Sequence, residues 1–90
     1  NIFLEIDGNW ITPPISAGIL NGVMRAIILE AKLGSVSPIT LADLNQATKG
    51  VLVSSLRVAQ EISEISGRKL QSSAAMCGEI RKLNQGFRGF

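Results

Sequence analysis

Two consecutive prolines, Pro13-Pro14, constrain this chain more than any other feature. Neither carries a backbone N–H, each holds φ near about −65°, and the residue before a proline is pushed to extended backbone. A strand cannot pair regularly through such a pair, and a helix cannot cross it. Whatever precedes must therefore end by Thr12, and the next element must start beyond a loop. The flanking residues agree. Ile2-Phe3-Leu4-Glu5-Ile6 alternates in strand fashion, Asp7-Gly8-Asn9 is a turn signal, and Trp10-Ile11-Thr12 reads as the returning strand. After the loop, Asn21-Gly22 opens a helix expected over Val23 to Leu33, with Val23, Ile27 and Ala31 on one face and Gly34 as its C-cap.

Further along, Ser35 to Ile39 is a short extended link. Thr40-Leu41-Ala42-Asp43 carries the capping-box pattern, so a second helix is expected from Leu41 to Ala47, ended by Lys49-Gly50. Val51-Leu52-Val53 suits a buried strand, and Val58 to Ile65 a further one, turning at Ser66-Gly67. Met76, Ile80, Leu83 and Phe87 recur at helical spacing, which predicts a closing helix capped by Ser72 or Ser73. Strands mixed with helices give an α/β or α+β domain. Ninety residues make one domain at most, spanning 1–90.

Composition narrows the function classes. Hydrophobic residues make up 46% of the chain, with 9 glycines besides and a mean hydropathy of +0.28. Soluble domains average roughly 45–50% with glycine included. That excess on a short chain suggests faces covered by another domain or subunit. The chain starts inside a strand pattern and without methionine, so it is expected to be an incomplete piece. A net charge of +2, scattered basic residues and 4% aromatics provide no nucleic-acid stripe. No apolar run approaches the roughly 20 residues of a membrane span. One cysteine, Cys77, and no histidine argue against an internal disulfide, a Cys-His nucleophile or a typical zinc site. A cytoplasmic location is the expectation.

Two stretches can carry chemistry. The first leads from Thr12-Pro13-Pro14 to Gly22-Val23-Met24-Arg25, where a glycine precedes a helix start. The first turn of a helix presents unpaired N–H groups with partial positive charge, a ready phosphate site. The second is Val51-Leu52-Val53-Ser54-Ser55-Leu56-Arg57, an apolar strand ending at two hydroxyls with a cation beyond. Hydroxyls and amides at a strand exit can complete an anion cradle.

These stretches are linked by a resemblance. Asn1-Ile2-Phe3, Ile11-Thr12-Pro13-Pro14 and Ile19-Leu20-Asn21-Gly22-Val23-Met24-Arg25 resemble the signature of class IV aminotransferases. Ser54-Ser55-Leu56-Arg57 and Ile65-Ser66-Gly67-Arg68-Lys69-Leu70 resemble that family's next segment, in the same order. The family includes branched-chain and D-amino-acid aminotransferases and aminodeoxychorismate lyase. The resemblance implies the C-terminal domain of the D-amino-acid aminotransferase-like fold, incomplete as given, and pyridoxal 5'-phosphate as cofactor. It further implies cofactor contacts from Gly22, Val23, Met24, Ser54 and Ser55, and substrate contacts from Leu56 and Arg57. A small-molecule amino substrate, a homodimer and a separate N-terminal domain are implied with it.

Ser-Ser-Leu-Arg after an apolar strand looks most like aminodeoxychorismate lyase, which releases pyruvate to form 4-aminobenzoate for folate synthesis. An aminotransferase is the alternative. Three departures stand out. Met24 replaces the family's usual threonine, removing a hydroxyl donor worth on the order of 1.5–3 kcal/mol to a charged acceptor. Trp10 stands where an aliphatic residue is more usual, and Glu61-Ile62 where many members have proline-valine. The family's cofactor-holding lysine, and the glutamate facing the pyridine nitrogen, lie before the point matching Asn1. Lys32, Lys49, Lys69 and Lys82 fall elsewhere in the pattern and read as surface lysines, and Glu5 and Asp7 as a surface hairpin. No catalytic residue is therefore expected within the chain. A third reading follows, a non-catalytic fragment or interaction module that keeps the fold without the reaction.

Overall fold

The computed structural model describes residues 1–15, 22–54 and 58–88. In chain order these form β1 (Ile2–Ile6), β2 (Asn9–Thr12), α1 (Val23–Glu30), β3 (Ser35–Val36), α2 (Leu41–Gln46), β4 (Lys49–Ser54), β5 (Val58–Glu61), β6 (Glu64–Ile65), β7 (Arg68–Lys69) and α3 (Ala74–Arg88). Among the described residues, five strands make one sheet in the order β3-β2-β1-β4-β5. All its pairs are antiparallel except β2 with β3, which α1 joins as a parallel crossover. β6 and β7 form a separate hairpin. The result is an α+β fold.

The hairpins are set by local chemistry. Asp7 and Gly8 both take positive φ (52° and 80°) between paired Ile6 and Asn9. Ser66 and Gly67 do the same (50° and 79°) between Ile65 and Arg68. Positive φ at both central residues is the pattern of the type I′ turn, whose twist matches that of the strands.

Each face of the sheet buries its own cluster. Phe3, Val51, Val53 and Ala59 meet Met24 and Ile28 of α1 and Met76, Cys77 and Ile80 of α3. Leu4, Ile6 and Ala47 pack on the other face with Ile2, Ile11, Ile39, Leu44 and Ile65. Ile28 and Ile80 are fully buried, each such side chain contributing roughly 1.5–3 kcal/mol. Strand alternation dictates this division, because residues 3 and 4 of β1 point to opposite sides.

Several boundaries differ from expectation. α1 ends at Glu30 with Ala31 as C-cap, and Lys32 takes the left-handed conformation (φ 61°). Gly34 serves a different need. A Cβ there would come within 2.9 Å of the Phe3 ring, so the glycine allows close packing. The buried stripe of α1 is Met24, Arg25 and Ile28, while Val23 is 63% exposed. The expected Val23-Ile27-Ala31 face is thus one residue out of phase. Lys49-Gly50 belongs to β4 rather than to a helix end. The strand expected over Val58 to Ile65 is broken at 62–63, after which β6 pairs with β7 instead.

The expected caps of α2 and α3 both form. Thr40 Oγ1 accepts from the Asp43 N–H at 3.1 Å, and Asp43 accepts from the Thr40 N–H at 2.9 Å. The far end of α2 is closed by Arg68, whose guanidinium donates to the carbonyls of Ala47 (2.7 Å) and Leu44 (2.6 Å). A cation on terminal carbonyls satisfies both hydrogen bonding and the helix dipole. At α3, Ser72 Oγ accepts from the Ala74 N–H at 3.3 Å. Glu61 accepts there too, from the Ser72 hydroxyl (3.1 Å) and the Ser73 N–H (2.8 Å). The Ser73 hydroxyl is buried and donates to the Gly50 carbonyl at 3.0 Å.

Candidate anion-binding site

Three central strands end together at one side of the sheet. The register that pairs Ile2 with Leu52 brings Asn1 beside Val53. The two exchange main-chain hydrogen bonds, Asn1 N to Val53 O at 3.0 Å and Val53 N to Asn1 O at 2.8 Å. On the other flank, the fully buried Thr12 hydroxyl donates to the Ile2 carbonyl at 2.7 Å. That bond anchors the strand just before Pro13-Pro14 releases it. The start of α1 lies over this edge, because a Cβ on Gly22 would stand 2.8 Å from Asn1 Nδ2. The glycine allows that approach without displacing the end of the Asn1 side chain.

The first turn of α1 is open. Gly22 is the N-cap in extended backbone (φ −73°, ψ 152°), with no side-chain cap and no acidic residue following. The first bond of the helix is Ala26 N to Gly22 O at 3.2 Å. Among the described residues, nothing accepts from the N–H groups of Val23, Met24 or Arg25. Unpaired donors at the positive end of a helix attract an anion.

The sequence-predicted residues divide clearly. Gly22, Val23 and Met24 sit at this open turn, and Ser54 closes β4 on the same edge, opposite Val58. Ser55, Leu56 and Arg57 lie outside the described residues. The Met24 side chain is buried in the core, so that position offers an anion its main-chain N–H alone.

Two features escaped the sequence reading. Val58 takes φ 62°, a left-handed conformation that a β-branched residue rarely holds. It lies directly after the Ser54 segment. The other is Arg25. It is only 5% exposed, its Nη2 donates to the Pro13 carbonyl at 3.0 Å, and its buried Nε has no partner. No sequence signal marks it, because the apolar phase read from Val23, Ile27 and Ala31 puts position 25 on the far side of α1.

The other reactive groups are elsewhere. Lys32 lies in the turn after α1, Lys69 in β7 and Lys82 on the exposed side of α3. Lys49 begins β4 at the opposite edge. It is half-buried and pairs with Glu5 at 3.9 Å, so it is not the free surface lysine expected. Cys77 is buried between β5 and α3, and that burial pushes its thiol pKa up, away from the reactive thiolate. Among the described residues no cluster of three or more His, Cys, Asp or Glu could hold a metal ion, and no helix is long and apolar enough to cross a membrane.

The family model described as "Amino-transferase class IV" matches residues 1–65. The chain belongs to the class IV aminotransferase family. No curated protein matches it. Its fold is that of class IV structures already solved. One is a branched-chain aminotransferase with norvaline from Thermoproteus uzoniensis, 28% identical over 94% of this chain and 30% of that one, with a TM-score of 0.77. Another is a candidate 4-amino-4-deoxychorismate lyase from Legionella pneumophila, 20% identical over 96% and 34%, with a TM-score of 0.80. A third is an aminotransferase from Brucella abortus bound to pyridoxal phosphate, 22% identical over 97% and 32%, with a TM-score of 0.74. The chain therefore spans about a third of the length of each. Class IV enzymes use pyridoxal phosphate, and the open turn of α1 has the unpaired donors and the lack of acid that suit a phosphate.

Proposed function

We propose that residues 1–90 form the carboxy-terminal, phosphate-holding part of a pyridoxal-phosphate enzyme, most like an aminodeoxychorismate lyase. The observation that carries this is the uncapped first turn of α1, set against Asn1 and the exit of β4 in a class IV chain. The N–H groups of Val23 and Met24 bind the phosphate, and Ser54 with Ser55 adds donors from the neighbouring strand exit. Leu56 and Arg57 face the substrate carboxylate. When bound, the cofactor supplies an electron sink that makes the bond to a substrate's α-hydrogen breakable. These residues hold it in place while that happens, and Gly22 keeps the approach free of a side chain. A lysine and a glutamate from an N-terminal domain complete the site, and the enzyme acts as a homodimer in the cytoplasm.

Ser54-Ser55-Leu56-Arg57 favours the lyase. The 28% identity to a branched-chain aminotransferase favours the second reading, an amino-group exchange with a keto acid.

The test uses the full-length protein with added pyridoxal phosphate. Pyruvate and 4-aminobenzoate formed from aminodeoxychorismate, without any keto acid, would establish the lyase. An amino acid converted to its keto acid with sustained turnover only when a keto-acid acceptor takes up the amino group would establish the aminotransferase. A folded protein that neither binds the cofactor nor does either reaction would leave the non-catalytic module as the correct reading.

A further inference from the structure

We propose that Arg25 is a positioning residue of the anion site, supplying a buried and uncompensated positive charge that strengthens phosphate binding at the first turn of α1. This rests on the phosphate-site reading above.

Arg25 is the third residue of α1 and 5% exposed. Helical side chains lean toward the N-terminus of their helix, and the bond from Nη2 to the Pro13 carbonyl agrees with that direction. Its Nε is buried without a partner. Among the described residues no carboxylate neutralises it, the ion pairs there being Lys49–Glu5 and Lys82–Glu79.

Two costs coincide at this residue. A buried cation without a counter-charge is unfavourable. A cation in the first turn also opposes the helix dipole, which favours acids at that end. A structure built for stability alone would place an aspartate or glutamate here, and α1 has none in its first turn. An anion held by the open N–H groups relieves both costs together. It supplies the missing counter-charge and adds a favourable interaction with the dipole that offsets the unfavourable one. The Pro13 bond then has a defined purpose, because it fixes the guanidinium at the edge where β2, Asn1 and Gly22 converge.

The experiment compares the full-length wild type with Arg25→Met and Arg25→Lys. Three dissociation constants are measured for each: pyridoxal phosphate, inorganic phosphate by competition, and pyridoxal, which lacks the phosphate. Circular dichroism melts check folding. Arg25→Met is expected to weaken both phosphate compounds by on the order of tenfold or more and to leave pyridoxal within about twofold. Arg25→Lys keeps the charge and is expected to stay within about threefold for all three. A folded Met variant with wild-type phosphate affinity overturns the proposal. A folded Lys variant that loses phosphate affinity by about tenfold overturns it too, because the charge is still present. If the Met variant does not fold, the Lys variant decides by the same criterion. A wild type that binds neither phosphate compound would remove the functional reading itself. Wild-type binding with an indifferent Met variant would remove only the role of Arg25.

Discussion

The two edges of the sheet are finished in opposite ways. At the edge where β1 ends and β4 begins, polar groups find partners. Glu5 accepts from the Thr48 hydroxyl at 3.0 Å and pairs with Lys49, and the Thr48 carbonyl accepts from the Gln71 N–H at 2.9 Å. Nearby, α2 is capped at one end by Thr40 and Asp43 and at the other by Arg68. At the edge where β4 ends, α1 starts without a cap, Arg25 keeps an unpaired nitrogen, and Val58 holds a left-handed backbone. The same chain can cap a helix with its side chains at both ends, so the open turn at Gly22 is a specific property of that edge. Unmet hydrogen bonds and local strain concentrate where a ligand is handled.

The comparison can be broken from either side. The largest effect is expected from Ile28→Ala, which empties a fully buried position on the inward face of α1. It should cost about 2–5 kcal/mol in urea unfolding and weaken phosphate binding as well, since it loosens the helix that presents the donors. Gly22→Asp would give α1 the kind of cap that α2 has. Phosphate affinity in the full-length protein should then fall by about tenfold or more, read by competition titration, as a carboxylate occupies the donors. If affinity persists, the open turn is not the anion site. Thr40→Ala is the counterpart at α2. It should cost about 1 kcal/mol of stability and leave phosphate affinity unchanged, because nothing at that edge touches the site.

Smaller effects sharpen the contrast. Val58→Gly removes a side chain from a left-handed position that costs an L-residue about 1–2 kcal/mol. Glycine's own entropy and lost packing offset most of that gain, so the measured change should stay within about 0.5 kcal/mol. A loss several times larger would mean that the strain is absent. Cys77 gives the smallest signal. Burial raises its pKa above that of an exposed cysteine, so the folded state keeps its proton longer than the unfolded state does. Stability is therefore unaffected below about pH 9 and falls as pH rises beyond it. Cys77→Ala should flatten that alkaline decline, as followed by melts from neutral to alkaline pH.

What the sequence disclosed followed from whether the deciding contacts were local. The capping box of Thr40 and Asp43, the turn at Asp7-Gly8 and the strand break at Pro13 rest on residues a few positions apart, and all were legible. The family signature also placed Gly22, Val23 and Met24 at a helix start. Arg25 was not legible as a buried group, since its burial follows from how α1 rotates onto the sheet. The same rotation moved the buried stripe from Val23 to Met24 and Ile28. The C-terminal clamp on α2 comes from Arg68, 24 residues beyond Leu44, and no local pattern announces a contact at that separation. Val58 was read as an ordinary strand residue because propensity registers side-chain type and not the turn the backbone must make.

The pairing of β1 has a consequence for the order in which the molecule assembles. β1 meets β2 across a two-residue turn, but it meets β4 only after the chain has gone through α1, β3 and α2, and Asn1 bonds to Val53 across 52 positions. A hairpin of that kind closes in about 1–10 μs, whereas joining strands so far apart in sequence must first overcome the entropy of a long loop. Until β4 arrives, the other side of β1 is a bare edge, open to pairing with a foreign strand. The edge at Asn1 is complete only once that distant strand is in place. Any ligand gripping both sides of it would draw the equilibrium toward the finished sheet and shorten the time that the bare strand is exposed.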